Sequence, residues 1–362
     1  MKRLCNDIEY SELVTDFYDK IVDKRDKRFV LNTGLELNDE VLAILPGIFA
    51  KDFLLSSFDE LIEINRKIES DYIQVVIKEK IKAAYPTEIN YIDRFFNNRI
   101  NKIQVGKTFD ESLKKKINSE INKELCGVFK GVEKNLYENA TIHSVISNFF
   151  ISKSKKLQIR SCYYCNIDFV NVYKEKGNEK YHFTLDHVLP KNKYPYFSIS
   201  LFNLVPSCYT CNSKLKLANE FSINVDLPKI CPSSENFDFN DNINFTLEFD
   251  IQDDDFDFKI EQIKQIKDVI IELKNKYSND SVNEFINIFN LKGRYEYHKN
   301  ICFDLIDKKK KYSDKEIEEI ARLIGRDIST IKKDIFGAEI FESKNAPFEK
   351  YKQDIAKQLG II

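Results

Sequence analysis

Apolar residues recur at helical spacing through the first part of the chain. Val41, Leu42 and Leu45, then Phe53, Leu54, Phe58, Leu61 and Ile62, then Ile89, Ile92, Phe95 and Phe96 fall at the three- and four-residue intervals that line one face of a helix. Pro46, Pro86 and Gly106 punctuate the pattern. It predicts several helices with short connections over residues 38 to 150, packed on one another and on the next domain, and a helical amino-terminal domain spanning 1–156.

The pattern changes at 157–235, where cysteine, proline, tyrosine and histidine concentrate and long helical stripes thin out, so this stretch is expected to be a separate domain. Beyond it, Ile243, Phe245, Leu247, Phe249 and Ile251 alternate with polar residues, and Phe256, Phe258 and Ile260 do so again after the acidic stretch Asp253 to Asp255. Strict alternation predicts two strands, here a hairpin with one apolar face. Helical spacing then returns, with Ile263, Ile266, Val269, Ile270 and Leu273 on one stripe of a carboxy-terminal domain spanning 236–362. Ser313 and Glu316 form a capping box ahead of two short helices joined near Gly325; this is read as an ordinary helical hairpin, with a DNA-binding helix-turn-helix as the weaker alternative. The expected fold class is α+β, mainly helical around the small cysteine-rich domain.

Composition narrows the class. With 362 residues, 43% hydrophobic, 28 Phe and 18 Tyr, the chain can bury a sizeable core and is not wholly disordered. The amino end has no apolar run after its first basic residues, and no apolar stretch reaches bilayer length, so a cytoplasmic protein without a membrane span is expected. The net charge of −2 supplies no strong overall field toward polyanions, so any nucleic-acid site must be local. Candidate patches are Lys153, Lys155, Lys156 and Arg160, then Lys214 and Lys216, then Lys308 to Lys311, the last read as a solvated face.

Four of the eight cysteines form two Cys-x-x-Cys pairs, Cys162/Cys165 and Cys208/Cys211. Two thiolates separated by two residues approach one metal from a tight turn, and two such turns complete a tetrahedral zinc site with no open position, so the zinc is expected to be structural. Cys5, Cys126, Cys231 and Cys302 are expected to be plain thiols. Between the pairs lies Thr184-Leu-Asp186-His187-Val-Leu-Pro190, which offers a hard carboxylate beside an imidazole able to take a proton near neutral pH. Phe202-Asn203-Leu-Val-Pro-Ser-Cys208 and Cys211-Asn212-Ser-Lys214 come after it.

Taken in this order, CYYC, LDHVLP, FNLVPSC and CNSK resemble the HNH endonucleases, specifically their four-cysteine branch, over residues 162 to 212. The resemblance implies a ββα-metal core in which His187 is the general base, Asp186 a ligand of a catalytic Mg2+ or Mn2+, and Asn212 a second holder of that cation. It implies that Asn203 steadies the loop between the strands and helps to orient the base. Lys214 and Lys216 are expected to reach substrate phosphates. The implied activity is phosphodiester hydrolysis in DNA, with an RNA-directed nuclease or a zinc-supported binding adaptor as alternatives. The HNH core followed by a hairpin and by Leu291-Lys-Gly-Arg294-Tyr295 also resembles nuclease subunits of bacterial anti-phage systems, which implies an ATPase or other regulatory partner. His182 is expected to be a supporting residue, and His143 and His298 have no expected role.

Overall fold

The computed structural model describes residues 3–4, 10–21, 35–100, 110–217, 219–249 and 255–362; Cys5, Gly106, Ile251, Asp253 and Asp254 lie outside them. The amino-terminal region is helical as its spacing predicts. Helices Tyr10–Ile21, Asp39–Ile44, Ala50–Leu55 and Phe58–Lys67 are followed by a π-helical stretch Ile68–Ile77 and by Lys78–Ala84, Ile89–Ile100, Glu111–Cys126 and Ala140–Lys153. Local chemistry sets their starts. Asn38 accepts from the Val41 amide, and Ser57 and Glu60 exchange capping bonds, which satisfies amides that the first turn leaves without partners. The predicted stripe residues are buried except Leu42 and Ile89, which face water at 42% and 44% exposure.

The cysteine-rich region carries two small antiparallel pairs. Strand β1 (Val172–Glu175) pairs with β2 (Asn178–Tyr181), and β3 (Thr184–His187) pairs with β4 (Leu204–Ser207), with Asp186 opposite Val205 and His187 opposite Leu204. After β4 the chain turns at Cys208 into a short helical segment that ends in wide π turns over Cys211–Lys216. The connection between β3 and β4 docks on the amino-terminal helices. Phe53 packs edge-on against Tyr196, the Ser200 hydroxyl bonds to the Phe53 carbonyl, and the Tyr196 hydroxyl donates to Asn65 Oδ1 at 2.8 Å.

The carboxy-terminal region corrects the predicted hairpin. Strand β5 (Ile243–Glu248) pairs with β6 (Ile270–Asn275), placing Phe245 opposite Leu273 and Leu247 opposite Ile271. The expected partner segment is instead a helix, Phe256–Gln262, because Asp255 accepts from the amides of Asp257 and Phe258 and caps it. The stripe predicted for a helix through Ile270 and Leu273 is likewise interrupted, and the β-branched run Val269, Ile270 and Ile271 goes into and beside a strand. The helix Glu349–Gln358 closes the free edge of β5. Its Asp354 and Gln358 side chains accept from the amides of Phe245 and Leu247, so that edge is not left as an open template for another chain. Helices Asp314–Ile324 and Ile328–Phe336 meet at Gly325, whose φ of +67° suits glycine.

The architecture is α+β, mostly helical with three two-stranded antiparallel sheets among the described residues. Buried apolar side chains form one contiguous cluster from Leu4 to Ile361. Among the described residues, no helix is long and apolar enough to cross a membrane.

Candidate active site and metal centre

The four predicted cysteines converge. The sulfurs of Cys162, Cys165, Cys208 and Cys211 all lie within 4.8 Å of one another and are buried, and no other group of three or more His, Cys, Asp or Glu side chains among the described residues comes together tightly enough to hold a metal. Zn–S bonds of about 2.3 Å in a tetrahedron put sulfurs slightly under 4 Å apart, and Cys165 and Cys208 are 4.0 Å apart. Amides of Ile167 and Cys211 point at the sulfurs of Cys165 and Cys208, at 3.4 and 3.3 Å, as they do toward thiolates. The donor set fits zinc. The remaining described cysteines, Cys126, Cys231 and Cys302, are buried thiols.

Sequence reasoning missed how the far end of the chain serves this cluster. Arg294 lies 3.3 Å from the Cys211 sulfur and 3.4 Å from that of Cys165, and it pairs with Asp168 at 3.0 Å. Its positive charge offsets the negative charge that four thiolates would concentrate there. The adjacent Tyr295 hydroxyl donates to the Cys165 carbonyl at 2.7 Å. The only signal in the sequence was the basic-aromatic motif at 291 to 295, and nothing local in it pointed to the cysteines.

The two residues between the first pair of cysteines link the knuckle to its surroundings. Tyr163 donates to the Leu157 carbonyl, whereas the Tyr164 hydroxyl donates to Asp186 Oδ2 at 2.7 Å. The Tyr164 ring is fixed by stacking on Phe289, centroids 4.6 Å apart. The candidate zinc knuckle therefore holds the carboxylate that precedes His187.

Asp186 and His187, adjacent on β3, reach different neighbours, as alternation along a strand requires. Asp186 is buried and lies 3.1 Å from Lys216 Nζ. Burial raises its carboxyl above the ordinary value, against the lowering pull of Lys216 and Tyr164. His187 is also buried; its Nε2 sits 2.8 Å from the Ser198 carbonyl oxygen, and its ring meets Tyr137 edge-on with centroids 4.5 Å apart. A carbonyl can only accept, so Nε2 carries the hydrogen and Nδ1 keeps its lone pair. Burial pushes the imidazole down to about 3, so at neutral pH the ring is uncharged.

Asn203 is completely buried. Its Oδ1 accepts from the Leu189 amide at 2.8 Å, and its Nδ2 donates to the carbonyls of Leu189 and Phe197, both at 3.0 Å. It ties the end of β3 to the loop that carries Ser198, the partner of His187. Asn212 is half-buried on the helical segment after β4.

The lysines fall differently from expectation. Lys214 is exposed and lies over the Tyr209 ring at 5.8 Å. Lys216, expected to reach a substrate phosphate, is 1% exposed; it donates to the His187 carbonyl at 2.7 Å and pairs with Asp186. The wide turn over Cys211–Lys216 directs it beneath β3 and not outward. Of the patch before the first cysteines, Lys153 and Lys156 pair with Asp16 and Glu12 of the first helix, which reduces its free charge. Sequence reasoning also passed over Lys191, half-buried with its ammonium 5.3 Å from the centre of the Tyr137 ring that covers His187. His143, given no role, lies against the same Tyr137 ring; His298 packs on Phe348; His182 is exposed beside Tyr181 and Tyr209 in a cavity of 540 Å³.

The divalent cation expected at Asp186 and Asn212 does not fit this arrangement. Magnesium wants a near-octahedral set of oxygens at about 2.0–2.1 Å, and the Asp186 carboxylate is already taken by an ammonium and a phenol. No family model, curated protein or solved structure matches this chain.

Proposed function

We propose that this chain is a histidine-based phosphodiester hydrolase of the HNH type, acting on DNA, with a structural zinc held by Cys162, Cys165, Cys208 and Cys211. The single observation that carries the reading is the setting of His187: Nε2 anchored on the Ser198 carbonyl, Nδ1 left with its lone pair, and Asn203 bracing the loop that supplies the anchor. A neutral, oriented imidazole can take a proton from an attacking water. The order of β3 and β4 between the two cysteine pairs, followed by a helical segment that carries Cys211, further supports it. Lys191, whose ammonium lies over the Tyr137 ring beside His187, and the exposed Lys214 are the cations we assign to phosphate charge, and the zinc, when bound, contributes folding free energy and no chemistry.

A second reading, a zinc-supported binding adaptor, is favoured by one observation: the buried pairing of Asp186 with Lys216, which gives the carboxylate a structural partner. Zinc-loaded wild-type and His187→Ala protein, incubated with plasmid DNA, single-stranded DNA and RNA with and without Mg2+ or Mn2+, separates the two. Cutting of DNA that falls by about a hundredfold or more in a folded, zinc-loaded His187→Ala variant is expected. Cutting of RNA alone would move the substrate class, and a wild type silent on every substrate would favour the adaptor.

A further inference from the structure

We propose that Lys216 is itself the cation of the Asp186 site, so that its ammonium and a divalent metal are mutually exclusive occupants. The site is the one assigned to the hydrolase, so the catalytic meaning of this occupancy rests on that reading. Three oxygens converge on Lys216 Nζ: the His187 carbonyl at 2.7 Å and the two carboxylate oxygens of Asp186 at 3.1 and 3.4 Å. Oxygen donors of this kind, a carboxylate and a backbone carbonyl, are what a hard metal ion would use. Here they enclose an ammonium that is 1% exposed.

The backbone is built to put it there. Lys216 ends the wide turn over Cys211–Lys216, and the next residue, Leu217, has φ of +50° and is 61% exposed. Left-handed backbone at a residue other than glycine is strained and persists where the surroundings demand it. Here it accompanies the turn that carries a charged side chain under a strand, leaving an apolar one in water. A second cation at the same carboxylate would lie at contact distance from the ammonium in a poorly screened interior, where like charges repel strongly. Lys216 is thus a positioning residue: it holds the carbonyl of the candidate base and neutralises Asp186, the second of which the HNH resemblance would give to a metal.

The test is a Mn2+ titration of the full, zinc-loaded chain, followed by electron paramagnetic resonance of free Mn2+. Wild type and Asp186→Asn are expected to give the same curve. Lys216→Met is expected to gain a Mn2+ site, tighter by roughly tenfold or more than anything in wild type, and Asp186→Asn in that background should remove it. Mn2+ bound by wild type and lost in Asp186→Asn would overturn the proposal, as would a folded Lys216→Met that gains no site. Should Lys216→Met fail to fold, the comparison of wild type with Asp186→Asn decides alone. The titration reads binding and not cleavage, so a chain that cuts nothing removes the hydrolase reading and leaves this one standing.

Discussion

At the scale of the residue, His187 shows how one hydrogen bond sets a tautomer. The Ser198 carbonyl 2.8 Å from Nε2 chooses the tautomer, and the imidazole is buried edge-on against the Tyr137 ring. The same burial makes stability depend on pH. The folded imidazole titrates near 3, against an ordinary 6.5, so between those values the unfolded chain takes up a proton that the folded chain refuses. The stabilising contribution is complete above about pH 6.5 and is lost as pH falls toward 3. Urea unfolding of wild type and His187→Asn checks it. From about pH 7 to about pH 5 the wild type should lose on the order of 2 kcal/mol more than the variant. Parallel losses in the two proteins would contradict the depressed imidazole. Asp186 and the cysteines are present in both, so their own titrations cancel in the difference.

At the scale of the element, the short helix Leu291–Tyr297 matters for where it lands and not for its length. It delivers Arg294 to two sulfurs and to Asp168, and Tyr295 to the Cys165 backbone. A charged group around a metal site supports affinity without touching the ion. Arg294→Met should therefore weaken zinc binding by about 10–100-fold, read by competition with a chromogenic chelator, while the rest of the chain stays folded. Unchanged affinity would make the arginine a packing residue only. The segment after β5 shows a different limit. The alternation at Phe256, Phe258 and Ile260 is a true periodicity, yet the Asp255 cap makes the segment helical and β5 finds its partner at Ile270–Asn275. Periodicity in a short apolar stretch does not choose a partner; the rest of the core does.

At the scale of the whole molecule, the cysteine-rich region is tied to both flanks. The amino-terminal helices hold the β3–β4 connection through Phe53 and Asn65. The loop before the last helix clasps the first knuckle: Asn345 bonds with Ser161 and the Gln158 carbonyl, and the Phe348 amide donates to the Asn166 carbonyl at 2.6 Å. Loss of the zinc should therefore be felt beyond the knuckles. Cys208→Ser, or exhaustive chelation of the wild type, should cost on the order of several kcal/mol of folding free energy and broaden the thermal transition. A variant that stays folded and zinc-free with an unchanged melting temperature would remove the staple.

The helical amino-terminal region, the α+β class and the four converging cysteines were legible in the chain alone, because helical stripes and Cys-x-x-Cys turns are local patterns whose geometry follows from spacing. His187 and Asn203 stood out there too, and both are buried and hydrogen-bonded to the loop between β3 and β4. The partners were settled by folding. Tyr137 over His187, Tyr164 on Asp186, Arg294 on the cysteines and Lys216 beneath β3 each depend on how segments meet, and spacing within a segment carries no information about that. Lys216 is the clearest instance. A lysine two residues past an exposed one on a helical segment reads as a surface charge, but the wide turn over Cys211–Lys216 buries it against the Asp186 carboxylate.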